Sequence, residues 1–332
     1  HMSTVTHANA NSRIVRTVRG DIAPEALGVT APHEHLYCDQ RLCRSDLDFP
    51  GTYAKMVLLD VDTIVRELAD YHAAGGRAIA EMTASGWGRD VAVLKEISER
   101  SDIHVVAISG FYVEDCHPPY VADTSIEDLA EQLVRELSAG ADGTAIRTGL
   151  LKSGISRPVI EGPEKKCAHA VALAQKRTGV SITTHTSGST RFEIEGGNIG
   201  MQHLDLFEAE GVDPGRVIIG HTDENADIRQ LVALARRGAY VQFDVIGKIH
   251  WMLDETRVDL LCQMVDKGYQ DHLMLSSDRC REMELKVGGG LGYDHVLRDF
   301  VPKLRQAGFD DALLHRILVE NPARALSFEP RE

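Results

Sequence analysis

Short apolar runs rich in β-branched residues recur along the chain, each followed by a stretch in which apolar positions return every three or four residues. The first pattern predicts strands at Gly28–Ala31, Arg77–Glu81, Val105–Gly110, Thr148–Lys152, Ser181–His185, Val217–His221, Ala239–Asp244 and Leu273–Ser277. The second predicts helices over Val61–Ala74, Asp90–Ser98, Ile126–Leu137, Glu164–Thr178, Met201–Glu210, Ile228–Arg237, Thr256–Lys267 and Tyr293–Ala307. Strand then helix, eight times over, implies parallel pairing with crossover helices. The economical closed form is an α/β fold of the (β/α)8 type, a TIM barrel. An open doubly wound sheet is the alternative, but no Gly-x-Gly-x-x-Gly turn follows the first strand.

No low-complexity linker divides the chain. Residues 14–332 are expected to form one barrel, preceded by a disordered tail over 1–13 whose His1-Met2 reads as a cloning remnant. With 332 residues, 43% of them hydrophobic, the chain can bury a large core. A formal net charge of −14 argues against nucleic acid, because phosphate neutralisation needs a basic surface. It leaves room for a small anionic substrate, since local cations prevail over a distant, screened field. Apolar runs stay short of the ~20 residues of a transmembrane helix, and no signal peptide is visible. No membrane partner is therefore expected, and a cytoplasmic location is the default, which an export signal lost with the cloning remnant would change. Cys38, Cys43, Cys116, Cys167, Cys262 and Cys280 form no Cys-x-x-Cys pair and read as free buried thiols.

Six residues share a position at or just past the C-terminal end of a predicted strand: His33, His35, Lys152, His185, His221 and Asp278. In a barrel those ends converge on one face, where active sites of this fold are built. His33 and His35 lie two apart, so an extended chain sends both imidazoles to one side and Glu34, a structural residue in this reading, to the other. Each histidine alone is more often a hydrogen-bonded core residue, and Asp278 alone could be a helix N-cap. Together they supply the N and O ligands that borderline cations such as zinc prefer. A lysine aimed at such cations is repelled as an ammonium, and burial lowers its pKa. Lys152 as a neutral amine can combine with carbon dioxide to give a carbamate able to bridge two metals; the bland alternative is a strand-end lysine reaching solvent.

The set resembles the phosphotriesterase family of the amidohydrolase superfamily over about Val15 to Phe328. Further local matches are Thr83 to Asp90 with Gly86-Trp87-Gly88-Arg89-Asp90, Gly110-Phe111-Tyr112 with His117-Pro118, Gly289-Gly290-Leu291-Gly292-Tyr293-Asp294, and Glu320-Asn321-Pro322. The resemblance implies a catalytic centre of two divalent metal ions, zinc by preference. His33, His35 and Asp278 would hold the more buried ion and His185 and His221 the more exposed one, with carboxylated Lys152 and a hydroxide bridging them. It also implies that the bridging hydroxide attacks a polarised carbonyl or phosphoryl group while Asp278 accepts its proton. A mononuclear deaminase of the superfamily lacks the lysine, so Lys152 separates the two.

One departure matters. Good phosphotriesterases of the family carry a histidine, and many lactonases an arginine, where this chain has Val245 after Asp244. Members that hydrolyse phosphorylated sugar lactones use cations of the neighbouring loops, and Lys248, Arg281 and Tyr112 are the candidates here for holding an anionic group. Against this, Arg279 and Arg281 could simply pair with Glu282 or Glu284. The leading expectation is a lactonase or esterase acting on a small, anionic or phosphorylated substrate. The alternatives are a phosphotriesterase, an amidohydrolase with His250 as the acid for the amine, or a non-catalytic binding barrel. A homodimer is expected by analogy with the family alone.

Overall fold

The computed structural model describes residues 13–43, 57–186, 198–224 and 226–331. The expected tail falls outside them, apart from Arg13.

A two-stranded antiparallel hairpin, β1 (Val15–Thr17) and β2 (Gly20–Ile22), opens the fold. Eight parallel strands follow: β3 (Thr30–Glu34), β4 (Ala78–Glu81), β5 (His104–Phe111), β6 (Leu150–Gly154), β7 (Ile182–His185), β8 (Val217–Ile219), β9 (Tyr240–Phe243) and β10 (Leu273–Leu275). Each is paired with the next in sequence, the order of a (β/α)8 barrel. The strands read as apolar runs because both faces are buried. In β4, Ala78 and Ala80 turn inward with Val106 and Leu150, while Ile79 turns outward against Ile64, Leu68 and Leu94 of the surrounding helices.

Those helices are α1 (Val61–Ala73), α2 (Val91–Ser101), α3 (Ile126–Ser138), α4 (Gly162–Thr178), α5 (Ile199–Ala209), α6 (Ile228–Arg236), α7 (Asp254–Asp266), α8 (Val301–Gln306), α9 (Asp311–His315) and α10 (Asn321–Leu326). Asp60, Asp90, Ser125 and Asp227 cap the N-termini of α1, α2, α3 and α6 by accepting backbone N–H bonds. The helix expected over Tyr293–Ala307 instead begins as a π turn, Val296–Phe300, before α8, and a second π turn, Arg316–Glu320, precedes α10. Each π turn runs directly into a helix with proline at its second position, Pro302 and Pro322. The missing proline N–H breaks the regular ladder there.

The hairpin and the last helix, neither of them expected, close the bottom of the barrel. Val15 and Leu326 join the interior cluster, and Ile14 and Phe328 exchange backbone hydrogen bonds of 2.9 and 3.0 Å.

The barrel is closed at its top by side chains. β10 ends at Leu275, yet the chain must stay against β3 as far as Arg279. The Asp278 amide donates to the His33 carbonyl (3.1 Å) and the His35 amide to the Arg279 carbonyl (3.0 Å). Between these bonds the buried Glu34 carboxylate accepts from Ser277 N–H (2.9 Å), Ser277 Oγ (2.6 Å) and Arg279 N–H (2.7 Å). Glu34 is thus the structural residue of the His-Glu-His triplet. Glu34→Ala strands two buried amides at about 1–3 kcal/mol each, so a loss of about 2–6 kcal/mol is expected in urea unfolding of the metal-free protein. A loss below about 1 kcal/mol would show that the barrel closes without this carboxylate.

Candidate metal centre at the barrel mouth

His33 is the fourth residue of β3 and His35 follows the strand's end. Their rings turn into the mouth 6.2 Å apart, and both Nε2 atoms face Asp278 Oδ1, at 3.5 Å from His33 and 3.4 Å from His35. His185 ends β7 and His221 lies two residues beyond β8; His185 Nδ1 and His221 Nε2 face each other at 2.8 Å. The His33 and His221 rings are 4.9 Å apart, which joins the two pairs into one cluster.

Lys152 stands in the middle of β6, not at its end, because the strand continues to Gly154. Its fully buried Nζ donates to the Met82 carbonyl at 2.7 Å and lies 5.0 Å from the centre of the Tyr112 ring. This approach of β5 to β6 needs glycine at 110, with φ +137°: a Cβ there would stand 2.1 Å from the Lys152 carbonyl oxygen. His221 (φ +55°) and Asp278 (φ +50°) are two of four non-glycine residues with left-handed backbone among the described residues. Strain of this kind persists where surrounding structure fixes it, and here it turns both side chains off their strands into the mouth.

Burial governs the protonation of the cluster. It drives His185 well below the usual histidine range and His35 down to about 3, and lowers His33 as well. Burial also opposes the charged form of His221, but the Asp244 carboxylate outweighs it and raises the ring to about 9. Lys152 is pushed down to about 8, chiefly by desolvation. For Asp278, burial favours the acid, yet Lys248 and the neighbouring histidines hold it well below the carboxylate range.

Asp244, which sequence patterns left without a role, sits behind the histidines. Its Oδ1 accepts from the His221 N–H (2.9 Å) and contacts His221 Nδ1 (2.6 Å), and its Oδ2 lies 3.2 Å from His33 Nδ1. His33, His221 and Asp244 could by proximity form a cation site of their own, as could His33, His35 and Asp278. The geometry favours an orienting role for Asp244: it occupies the Nδ1 edges of both rings and leaves their Nε2 edges open toward Asp278 and His185. The donor set, imidazole nitrogens with fixed outer edges and one ionised carboxylate, suits a divalent cation of the zinc type.

Above the cluster opens a cavity of about 650 Å³. Trp87 and Tyr112 stack in parallel (4.8 Å, 10°) and present edges to His35 and His185. Tyr112, Lys248 and Arg281 all line this cavity, as does Val245. Lys248 Nζ is engaged by Asp278 Oδ2 (3.1 Å) and Glu284 Oε1 (3.2 Å), which keep its ammonium charged despite burial. The buried Nε of Arg281 has no partner among the described residues, whereas Arg279 turns away to the carbonyls of Ile246 and Gly292. His250 is exposed and is not among the cavity-lining residues. The expectation of six free thiols is corrected at the cavity's edge. Cys43 and Cys116 are joined in a disulfide, because the loops after β3 and β5 meet there across 73 residues of sequence; Cys38, Cys167, Cys262 and Cys280 are free.

The sequence profile of the phosphotriesterase family matches residues 13–326. The phosphotriesterase homology protein of Escherichia coli (strain K12) is 37% identical over 299 residues, 90% of this chain and 97% of that protein. Its crystal structure, with phosphate in the active site, matches at a TM-score of 0.83 and 36% identity over 90% of this chain and 98% of that one. N-acetyltaurine hydrolase of Xenopus tropicalis is 30% identical over 352 residues, 95% of this chain and 98% of that protein. A lactonase from Listeria monocytogenes matches in structure at a TM-score of 0.86 and 28% identity, over 95% of this chain and 99% of that one.

A cation held at His221 Nε2 would have to displace a proton, since the Asp244 carboxylate keeps this ring protonated up to about pH 9. Zinc affinity is therefore expected to rise as pH climbs from 6 toward 9, with proton release at pH 7 visible by calorimetry in buffers of different ionisation enthalpy. An affinity flat over that interval would contradict the protonation assigned to His221.

Proposed function

The chain belongs to the phosphotriesterase family, whose enzymes are hydrolases, and on that premise we propose that it opens small anionic lactones or esters at a binuclear divalent-metal centre. The observation that carries this reading is the convergence of four histidines and Asp278 at the barrel mouth, with Lys152 buried beside Tyr112, under a cavity whose wall holds Lys248 and Arg281. His33, His35 and Asp278 would hold the inner cation, and His185 and His221 the outer one. Lys152 would stand between them as a carbamate, its amine having taken up carbon dioxide and released a proton. Two zinc-type cations bound there would supply a nucleophile at neutral pH and polarise the scissile carbonyl.

The chain's own residues do the rest. Asp278 Oδ2, 3.1 Å from the Lys248 ammonium, can accept the proton given up on attack. Trp87 and Tyr112 form a flat apolar plate that excludes water from one side of the centre. Lys248, paired with Asp278 and Glu284, and Arg281 both line the cavity and would together hold an anionic substituent of the substrate. Val245 places an apolar side chain, 1% exposed, where the family's efficient phosphotriesterases carry histidine, so phosphotriesters are expected to be poor substrates.

A second reading is hydrolysis of a small amide bearing an acidic group, favoured by the N-acetyltaurine hydrolases that align over 95% of this chain. It uses the same floor and the same cationic wall.

A hydrolysis screen of the zinc-loaded protein over neutral and anionic lactones, esters, amides and phosphotriesters tests the reading. Anionic lactones or esters should be preferred, and Arg281→Ala should raise their KM by about tenfold, the loss of one charge-assisted contact. Equal turnover of neutral and anionic substrates, with no effect of Arg281→Ala or Lys248→Ala, would reject the anion-holding wall. Lys152→Ala should lower bound zinc from about two ions per chain toward one. Less than about one ion per wild-type chain would reject the metal centre and revive a non-catalytic binding barrel.

A further inference from the structure

We propose that Thr83 and Glu81 form a positioning pair that decides which nitrogen of His35 is left open to a metal; the proposal rests on the metal centre put forward above. Glu81 ends β4, and Thr83 follows it two residues on, both completely buried. One carboxylate oxygen of Glu81 accepts from the Leu36 N–H (3.0 Å) and the Thr83 hydroxyl (2.6 Å), and the other accepts from the Thr83 N–H (3.0 Å). A hydroxyl has one proton to give. With that proton committed to Glu81, Thr83 Oγ1 can only accept from its remaining neighbour, His35 Nδ1 at 2.8 Å. His35 must then carry its hydrogen on Nδ1, which leaves the Nε2 lone pair facing Asp278, where a cation would sit.

The same carboxylate grips the Leu36 amide, and Tyr293 Oη donates to the His35 carbonyl at 2.7 Å, so backbone and ring are fixed together. The arrangement differs from that of the other ligands. His33 and His221 have their Nδ1 edges on Asp244 itself, whereas His35 meets its carboxylate through an intervening hydroxyl. Nothing else within hydrogen-bond distance of Thr83 Oγ1 competes for its lone pairs among the described residues. A purely structural role for Glu81, tying the end of β4 to Leu36, would leave the Thr83 hydroxyl dispensable, and this separates the two accounts.

Thr83→Val keeps the shape and the backbone N–H but neither donates nor accepts at Oγ1, whereas Thr83→Ser keeps the hydroxyl. Zinc affinity, measured by chelator competition, is expected to fall about 10- to 100-fold in Thr83→Val and to stay near wild type in Thr83→Ser, the range typical of lost support behind a ligating histidine. Wild-type affinity in Thr83→Val, or an equal loss in both variants, overturns the proposal. Failure of the wild type to bind zinc at all would instead reject the metal centre. If Thr83→Val does not fold, long-range 1H–15N spectra of the metal-free wild type decide. A hydrogen-bonded Nδ1–H on His35 supports the pair, and a proton on Nε2 alone overturns it.

Discussion

A barrel closes only if its last strand finds its first, and here the strand gives out before the site is reached. β10 stops at Leu275, while the chain has to place Asp278 opposite His33 and His35. Asp278 adopts a left-handed backbone conformation, so a regular ladder cannot run through it. The amides of Ser277 and Arg279 would be left unpaired in a dry interior, and the Glu34 carboxylate takes both. A side chain thus replaces two rungs of a sheet. Because Glu34 lies between His33 and His35, the same contact sets the distance from both imidazoles to the carboxylate they share. One carboxylate thus both closes the barrel and holds the candidate ligands His33, His35 and Asp278 opposite one another.

Desolvation is the second constraint, and it shapes the chemistry. The mouth buries Asp244, Lys152 and four imidazoles, and half-buries Asp278 and Lys248. Charges in such a place persist only in pairs, and the pairs are visible: Asp244 with His221, Asp278 with Lys248. Rings without an acidic partner as strong, His185 and His35, are held neutral. This distribution is what a cation site requires. Neutral nitrogens offer lone pairs, ionised oxygens offer charge, and the protons and ammonium that balance the site can be displaced.

The legible and the hidden parts of the molecule divide along the same physical line. Strands buried on both faces announce themselves as apolar runs, and all eight were readable, although the first begins at Thr30, not Gly28, and bulges between Ala31 and Glu34. Seven of the eight expected helices recur with ends moved by at most three residues, as with Asp90–Ser98, found as Val91–Ser101, and the eighth begins as a π turn before α8. The six candidate ligands were suggested by chemistry at strand ends that stands out against an apolar background. Lys152 shows the limit of that rule: it lies inside its strand, in the inward-facing register of Leu150. Asp244, Glu81 and Thr83 were hidden for another reason. Their roles are hydrogen bonds to residues distant in sequence, and an acid after a strand looks the same whether it binds a cation or a ring N–H. The Cys43–Cys116 bond was hidden likewise, since only the meeting of two loops brings those residues together.

What remains distinctive of this chain lies in the walls. The floor is built from strand ends, and the two sides of the cavity above it differ in character. On one side the Trp87–Tyr112 stack covers His35 and His185 with aromatic surface. On the other, Lys248 and Arg281 bring two cations into a protein that is otherwise acidic, and one nitrogen of Arg281 has no partner among the described residues. Burying an arginine nitrogen without an acceptor is costly unless a ligand supplies one. Val245, beside them, contributes an amide to Asp223 beneath the floor and only methyl groups to the cavity. A flat plate facing a cationic wall, with no protic side chain at the position of Val245, fits a planar acyl group that carries its own negative charge better than a bulky neutral triester.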